Sequence, residues 1–399
     1  MVTDATPASR QLDITPQHLE NIQRALDDLR QGKMIILVDD EDRENEGDLC
    51  LAADRVTTEA INFMATHGRG LICVTLPPQQ IARLELPMMR LPGRSEPALG
   101  TAFTVSVEAK HGVTTGISAA DRATTIRAVS NPHARPDDVV VPGHVFPLQA
   151  KEGGVLVRAG QTEGSVDLAR LAGMSPAGVI CEIINDDGSM ARMPDLERFA
   201  QTHGLRIVTI ADLISYRLQT EVLVRRLEQA EIRLDQTRTF WQAIVFEAPL
   251  QQRQILALVK GDPTLSSPAL CRMHAGSTLA DTFSSTYSEG GRNLDEAILR
   301  IEREGAGVIV YLPPQGDLVG ELKQISRAAS GPPESVALAR PHGGTLREYG
   351  LGAQVLRELG LHEIRLLTSN PRKIAGINGY GLKVVQSVPL SSPPDARLE

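Results

Sequence analysis

Three observations predict an α+β fold in two domains. Short apolar runs such as 34–38 and 307–312 read as buried strands. Stretches with apolar residues at helical spacing lie between such runs, and this mixed order suits a sizeable sheet in each half. A charged stretch free of Gly and Pro, 212–235, separates the halves of the 399-residue chain.

In chain order, residues 17–29 carry a helical pattern that Gly32 breaks before strand 34–38. Helix 58–66 leads to strand 71–76, and residues 101–108 alternate as a strand. Ser118-x-x-Asp121 is a capping-box-like start for helix 118–129. Segments 155–157, 177–182 and 205–210 read as further short strands, and 212–235 reads as helical. In the second half, 245–246, 255–259, 307–312 and 363–367 read as strands. Residues 294–304 and 349–359 read as helices, and 316–344, rich in Gly, Pro, Ser and Ala, as loops. The resulting division is a first domain over 12–220, a helical connector over 221–238, a second domain over 239–390 and a flexible tail over 391–399.

Composition excludes several function classes. The chain has 41 basic and 49 acidic side chains, a net charge of −8, which argues against a broad nucleic-acid surface. Aromatic residues at 3% are too few for base-stacking platforms. No apolar run approaches the roughly 20 residues of a membrane span, and residues 1–10 are polar without a signal-peptide core. Cys50, Cys73, Cys181 and Cys271 are far apart and form no C-x-x-C, so neither a disulfide framework nor a Cys-rich zinc module is expected. A cytoplasmic enzyme with no membrane or nucleic-acid partner is the expectation.

The strongest local signal follows strand 34–38. Residues 39–48, Asp-Asp-Glu-Asp-Arg-Glu-Asn-Glu-Gly-Asp, hold seven carboxylates. These repel unless something cationic neutralises them. Arg43 lies inside the run, and a hard divalent cation prefers carboxylate oxygens. Gly47 allows a tight turn that brings Glu44 and Asp48 toward one point. A solvated acidic loop is the bland alternative. Its position directly after a buried strand favours a site, because α/β sites gather at strand ends. Three other stretches are candidates to converge there. His144 lies between two prolines in Val-Pro-Gly-His-Val-Phe-Pro, where a structural role competes with a functional one. Arg158-Ala159-Gly160-Gln161-Thr162-Glu163 offers a cation, a glycine and a hydroxyl suited to a phosphate or other oxyanion. Glu182 ends a strand, where a carboxylate can act as a general base.

Together these residues resemble one family. The string 39–48 with Leu49 looks like the signature of 3,4-dihydroxy-2-butanone 4-phosphate synthase, of riboflavin biosynthesis. The resemblance continues through Leu-Pro-Met-Met at 86–89, Gly-Val-Thr-Thr-Gly-Ile-Ser-Ala-Ala-Asp-Arg at 112–122, Pro-Gly-His-Val-Phe-Pro-Leu at 142–148 and Cys-Glu-Ile-Ile-Asn-Asp-Asp-Gly-Ser-Met-Ala-Arg at 181–192. It covers about 15–217. The family implies a homodimeric α/β sandwich domain and a Mg²⁺- or Mn²⁺-dependent lyase. Such an enzyme converts D-ribulose 5-phosphate to L-3,4-dihydroxy-2-butanone 4-phosphate plus formate. By the same resemblance Glu44 is a metal ligand and contacts substrate, and Arg43 and Asp48 contact substrate beside it. His144 and Glu182 match the two essential catalytic residues, with Glu182 also touching substrate. Arg158, Ala159, Gly160, Gln161 and Thr162 match the loop that holds the sugar phosphate. The family's usual residue at 161 is His. Gln161 offers a neutral oxygen ligand but no acid or base, so activity is expected to survive with weaker metal binding. The segment 90–99 is longer than usual and is expected to form a substrate-covering loop.

The second half resembles GTP cyclohydrolase II, implying a second α+β domain. The framework persists in Glu-Gly-Ala-Gly-Val-Ile-Val-Tyr-Leu at 304–312, Leu-Leu-Thr-Ser-Asn-Pro-Arg-Lys at 366–373 and Gly-Tyr-Gly-Leu at 379–382. The family holds one zinc with three Cys after an Arg-x-His. Anchored on Arg272-Met273-His274, those positions are Ser277, Ser288 and Gly290. Ser is a poor zinc ligand and Gly offers none. The family's Arg-Gln-Glu-Gly is Pro-Pro-Gln-Gly at 313–316. No zinc and no GTP turnover are expected. The domain then serves stability and dimerisation, or it regulates the synthase by binding a nucleotide or flavin without turnover. The competing expectations are a bifunctional enzyme with an active cyclohydrolase and a non-catalytic regulatory protein.

Overall fold

The computed structural model describes residues 16–40, 43–89, 101–284, 290–314, 342–368 and 382–390, with positions 318, 319, 322 and 326 between them. The chain divides after Tyr216 into two compact units.

The first unit runs α1 (Pro16–Arg30), β1 (Ile35–Val38), β2 (Gly47–Ala52), α2 (Thr58–Phe63), β3 (Cys73–Leu76), α3 (Pro78–Arg83), β4 (Val107–Ala109), α4 (Ala119–Ser130), β5 (Val139–Gln149), α5 (Gln161–Leu171), β6 (Gly178–Glu182), α6 (Met193–His203), β7 (Arg206–Thr209) and the start of α7 (Ile210–Thr220). Its seven strands form one mixed sheet in the order β4-β5-β3-β6-β2-β1-β7. Central strands β1, β2 and β3 are buried along their whole length, as expected of strands covered on both faces. On one face, Ile61 and Met64 beside α2, Ile126 and Val129 of α4 and Leu196 of α6 pack against Ile36, Leu49, Leu51, Val74 and Val179. On the other face, α5 lies so close that a Cβ at Gly164 would fall 2.9 Å from Leu37 and 2.5 Å from Ile210. α1 packs beside α5 and buries Ile22, Ala25, Leu26 and Leu29, one stripe of a helix. Each large side chain of that stripe contributes about 2 kcal/mol. Ser118 caps α4, its hydroxyl accepting the Asp121 N–H, as the sequence pattern predicts.

Three expectations are corrected. Residues 154–156 form a 3₁₀ turn and not a strand, because the buried Asp167 carboxylate accepts the Val155 N–H at 2.8 Å and pulls the backbone round. Only the end of 101–108 is strand, in β4, and the earlier part makes isolated bridges through Phe103 and Thr104. The 221–238 connector is not helical. α7 stops at Thr220, where the buried Gln354 amide donates to the Leu218 and Glu221 carbonyls and its oxygen accepts the Leu223 N–H. These contacts satisfy groups that a longer helix would bond internally.

The second unit continues with β8 (Arg225–Arg233), β9 (Phe240–Ala248), β10 (Arg253–Lys260), β11 (Ala269–Ala275), α8 (Thr278–Phe283), α9 (Gly290–Glu304), β12 (Gly307–Leu312), α10 (His342–Glu358), β13 (Glu363–Thr368) and β14 (Lys383–Pro389). β8 occupies half of the expected connector and pairs antiparallel with β9. The order is β14-β13-β11-β12-β10-β9-β8. Leu294, Ala297, Ile298 and Ile301 of α9 pack with Trp241, Leu258, Leu270, Ile309 and Leu367. The α10 backbone at Gly352 lies against Met273 of β11. The tail 391–399 and the loop 90–99 lie outside the described residues, as does most of 316–344.

Candidate active site

The site residues gather at one end of the first sheet. The loop between β1 and β2 turns at Asn45, which takes a left-handed conformation with φ 54. The turn is therefore not at Gly47. Gly47 begins β2 opposite Val38, with Leu196 packed where its side chain would be. The loop is tied down by charge. Asp39 Oδ1 and Oδ2 accept the N–H groups of Glu46 and Glu44 at 2.9 and 3.1 Å. Arg192 donates to the Glu44 carbonyl at 2.7 Å and also to that of Asn45.

Arg43 is the focus of this loop. Its Nη1 donates to Asp39 Oδ2 at 2.7 Å, Glu44 Oε2 at 2.7 Å and Gln161 Oε1 at 2.8 Å. Three oxygens, from residues 39, 44 and 161, thus meet around one positive charge. Glu44 and Gln161 are both ligand-grade oxygen donors. This all-oxygen set fits a hard cation such as Mg²⁺ or Mn²⁺ and not a soft one. Among the described residues, no group of three or more His, Cys, Asp or Glu side chains is arranged to hold a metal ion. In this arrangement the guanidinium takes the focal position, and a cation held by Glu44 and Gln161 requires it to move aside.

Gly160 precedes α5, so the N–H groups of Gln161, Thr162 and Glu163 stand at a helix N-terminus. A Cβ at Gly160 would lie 2.6 Å from Arg158 Nη1 and 3.1 Å from Arg43 Nη2, so the missing side chain lets two guanidiniums approach one point. Arg158 is anchored by Glu163, Nη1 to Oε2 at 2.6 Å. Glu163 is 1% exposed. Burial raises its carboxyl pKa, and the Arg158 charge opposes that rise. Two cations beside a helix N-terminus form a cradle for a dianion such as a phosphate.

Asp48 and Glu182 sit opposite each other on β2 and β6. Asp48 is buried, and its carboxyl is pushed well above the usual range by burial first and then by the charges of Glu182, Glu46 and Glu44. Glu46 is pushed up by burial and by Glu44. Glu182 Oε2 accepts the Leu71 N–H at 2.8 Å just before β3. β6 and β5 are the two neighbours of β3, so Glu182 and His144 are carried by the strands that flank it.

His144 lies in an outward bulge of β5. Val107 pairs with Val145 and Glu108 with Val140, so Val141, Pro142, Gly143 and His144 have no partner on β4. His144 Nδ1 lies 2.7 Å from Glu108 Oε2. The sequence reading missed Glu108, and it also missed Glu163 and Asp39 as structural partners of the two arginines. Asp39 stands in the acidic run, but Glu108 carries no local signal; only the β4–β5 pairing brings it to His144.

In the second unit, Ser277 caps α8, its hydroxyl accepting the Ala280 N–H. Cys271 is buried in β11, and burial pushes its thiol up to about 12. His274 is 1% exposed, with Nε2 at 3.1 Å from Asp281 Oδ1, and its ring stacks on Tyr311 at 5.5 Å. The Tyr311 hydroxyl donates to Asp281 at 3.0 Å. Burial pushes the Asp281 carboxyl up, but the contacts of His274, the Ser277 N–H and Tyr311 together hold it below the usual range. Gly290 opens α9 and has no side chain to offer, and Ser288 lies outside the described residues.

Comparison with known proteins assigns both halves. Residues 23–216 match the family model of 3,4-dihydroxy-2-butanone 4-phosphate synthase, and 226–389 match that of GTP cyclohydrolase II. The riboflavin biosynthesis protein RibBA of Aquifex aeolicus is 48% identical over 386 residues, covering 94% of this chain and 93% of that protein. RibBA of Bacillus mycoides is 47% identical over 378 residues, covering 93% and 94%. The crystal structure of RibBX from A. baumannii, a two-domain 3,4-dihydroxy-2-butanone 4-phosphate synthase, superposes with a TM-score of 0.73 at 41% identity. That match covers 92% of this chain and 98% of the other. No helix among the described residues is long and apolar enough to cross a membrane.

Proposed function

The chain belongs to the family of two-domain riboflavin biosynthesis proteins called RibBA, and from that premise we propose that its first domain converts D-ribulose 5-phosphate to the four-carbon ketone phosphate plus formate. The second domain, in this reading, has lost GTP turnover. The synthase domain itself is given by the family match. The observation that carries the substrate reading is the pairing of two features at one sheet end. An oxygen cluster converges on Arg43, and two guanidiniums converge on Gly160 at the start of α5.

In this reading Arg43, Arg158 and the first N–H groups of α5 bind the sugar phosphate, with Ala159, Gly160 and Thr162 shaping the loop. Asp48 and Glu182 bind the sugar hydroxyls, and Glu182 and His144 move protons from either side of β3. Burial and the neighbouring Glu182 charge push the Asp48 carboxyl up, which suits a hydrogen-bond donor to a sugar oxygen. Glu44 and Gln161 hold Mg²⁺ or Mn²⁺. When bound, the ion polarises substrate oxygens and stabilises the negative charge that enolisation and carbon loss develop there. In this proposal the homodimer rests on the resemblance, and the cytoplasmic setting on the four widely spaced cysteines.

The second domain keeps its sheet but lacks the three thiolates. Ser277 is spent as a helix cap, Gly290 has no ligand atom, and Cys271 is a buried, protonated thiol three positions before His274. The likeness to a protein described as a two-domain 3,4-dihydroxy-2-butanone 4-phosphate synthase supports this reading. The match of residues 226–389 to the GTP cyclohydrolase II family model favours the second reading, an active cyclohydrolase. Metal analysis and GTP turnover separate the two: one zinc per chain with GTP consumption overturns the first. Formate release from ribulose 5-phosphate, stopped by EDTA and by Glu44→Ala, tests the synthase assignment. No formate from folded protein with either ion overturns it.

A further inference from the structure

We infer that His67 and His203 form a second metal site in the first domain, one that takes a borderline transition ion such as Zn²⁺ and not Mg²⁺. The site shares no residue with the Glu44–Gln161 position. His67 lies in the turn that follows α2, and His203 is the last residue of α6. Their ring centroids are 4.8 Å apart, with the ring planes at 51°. A metal–nitrogen bond of about 2 Å puts an imidazole centroid about 3.2 Å from the ion. Two such rings then lie about 4.5 Å apart at a right angle and about 5.2 Å apart at the tetrahedral angle. The observed separation falls between these values. Imidazole nitrogen suits Zn²⁺, Ni²⁺ and Cu²⁺, whereas Mg²⁺ demands oxygen.

Local structure sets both rings in place. Residues 64–68 form one π-helical turn, closed by the Arg69 N–H donating to the Met64 carbonyl at 3.0 Å. Such wide turns recur at functional sites, and this one carries His67. α6 ends at His203 because Gly204 takes the left-handed conformation, with φ 65. Each imidazole rests on the phenylalanine one turn before it, His67 on Phe63 at 4.7 Å and His203 on Phe199 at 4.4 Å. Phe63 also meets the His203 ring edge-on at 5.1 Å. Both phenylalanines pack against the core of the first sheet. The two rings are therefore held together before any ion arrives, which lowers the cost of binding one. Their nitrogens are also available. His67 is exposed and His203 half-buried, and among the described residues neither ring has a hydrogen-bond partner. Burial and the neighbouring His67 charge lower the His203 pKa, so this ring reaches its neutral, ligating form at a lower pH than an ordinary histidine. No third His, Cys, Asp or Glu among the described residues completes a ligand set, so water fills the remaining positions.

The test is calorimetric titration of Zn²⁺ into the full-length protein, with saturating Mg²⁺ present to occupy the Glu44–Gln161 position. One zinc ion per chain is expected. His67→Gln and His203→Gln are each expected to weaken zinc binding at least about tenfold, because losing a ligand costs no less than losing a group that supports one. Glu44→Ala is expected to leave the zinc affinity unchanged. X-ray absorption at the zinc edge gives a second readout on the wild-type complex. It is expected to show scattering from two imidazoles, with oxygen in the other positions, and it decides the matter should either variant fail to fold. Unchanged affinity in both folded histidine variants overturns the inference, as does a zinc shell without imidazole or an absence of zinc binding. Loss of zinc in Glu44→Ala instead assigns the ion to the site of the first metal and overturns it equally.

Discussion

Gln161 Oε1 and Glu44 Oε2 accept from one nitrogen, Arg43 Nη1, at 2.8 and 2.7 Å. The loop before β2 and the first residue of α5 therefore share a single charge-bearing point. A neutral amide at 161 can hold a cation through its oxygen, but it contributes no charge to do so. Gln161→Ala is expected to weaken Mn²⁺ binding about tenfold, and Gln161→His to tighten it. Manganese titration followed by electron paramagnetic resonance reads both. Equal affinities in all three proteins would remove Gln161 from the metal site.

Gly160 is where the phosphate cradle is narrowest. In Gly160→Ala the new methyl meets the tips of Arg158 and Arg43, which are flexible and can swing away. The fold is expected to survive with Tm within about 2 °C, while KM for ribulose 5-phosphate rises about five- to tenfold. Steady-state kinetics with a melting curve checks this. An unchanged KM would place the phosphate elsewhere.

Glu163 links this cradle to stability. Its carboxyl is raised by burial, and Arg158 opposes the rise. A carboxyl raised in the folded state contributes stability fully below its unfolded pKa, about 4.3, and loses it as pH rises through the folded value. Arg158→Met raises that folded value further. The loss of stability in Arg158→Met is therefore expected to grow between pH 5 and pH 8, toward about 3 kcal/mol. Adding Glu163→Gln should flatten the pH dependence. Denaturant melts across that range give the answer, and a pH-independent loss contradicts it.

All four cysteines are buried, and burial is the first cause that pushes each thiol upward, Cys181 and Cys271 to about 12. A thiolate is the reactive form. The native protein at pH 8 is expected to show no fast reaction with a disulfide reagent, and four thiols after denaturation. A fast native thiol would contradict the packing of the sheet that holds it.

Much of this was legible in the residues. The run 34–38 and the strand ending at Glu182 are apolar enough to read as buried strands whatever their partners. Arg43, Glu44, Asp48, His144, Arg158 and Glu182 lie in long contiguous motifs, so their convergence could be anticipated. Three features could not. β8 has the charged composition of a helix, and only pairing with β9 and the Gln354 cap on α7 make it an edge strand. Glycine is the commoner left-handed residue, so the sequence points to Gly47 for a turn that Asn45 makes. Glu108 reaches His144 through a bulge whose register no local pattern encodes.

The most direct test supplies ribulose 5-phosphate and GTP separately to one preparation with Mg²⁺ and excess zinc present. The account predicts formate equimolar with consumed ribulose 5-phosphate, abolished by Glu44→Ala, and no consumption of GTP. Turnover of GTP would contradict the reading of the second domain, and absence of formate from ribulose 5-phosphate would contradict that of the first.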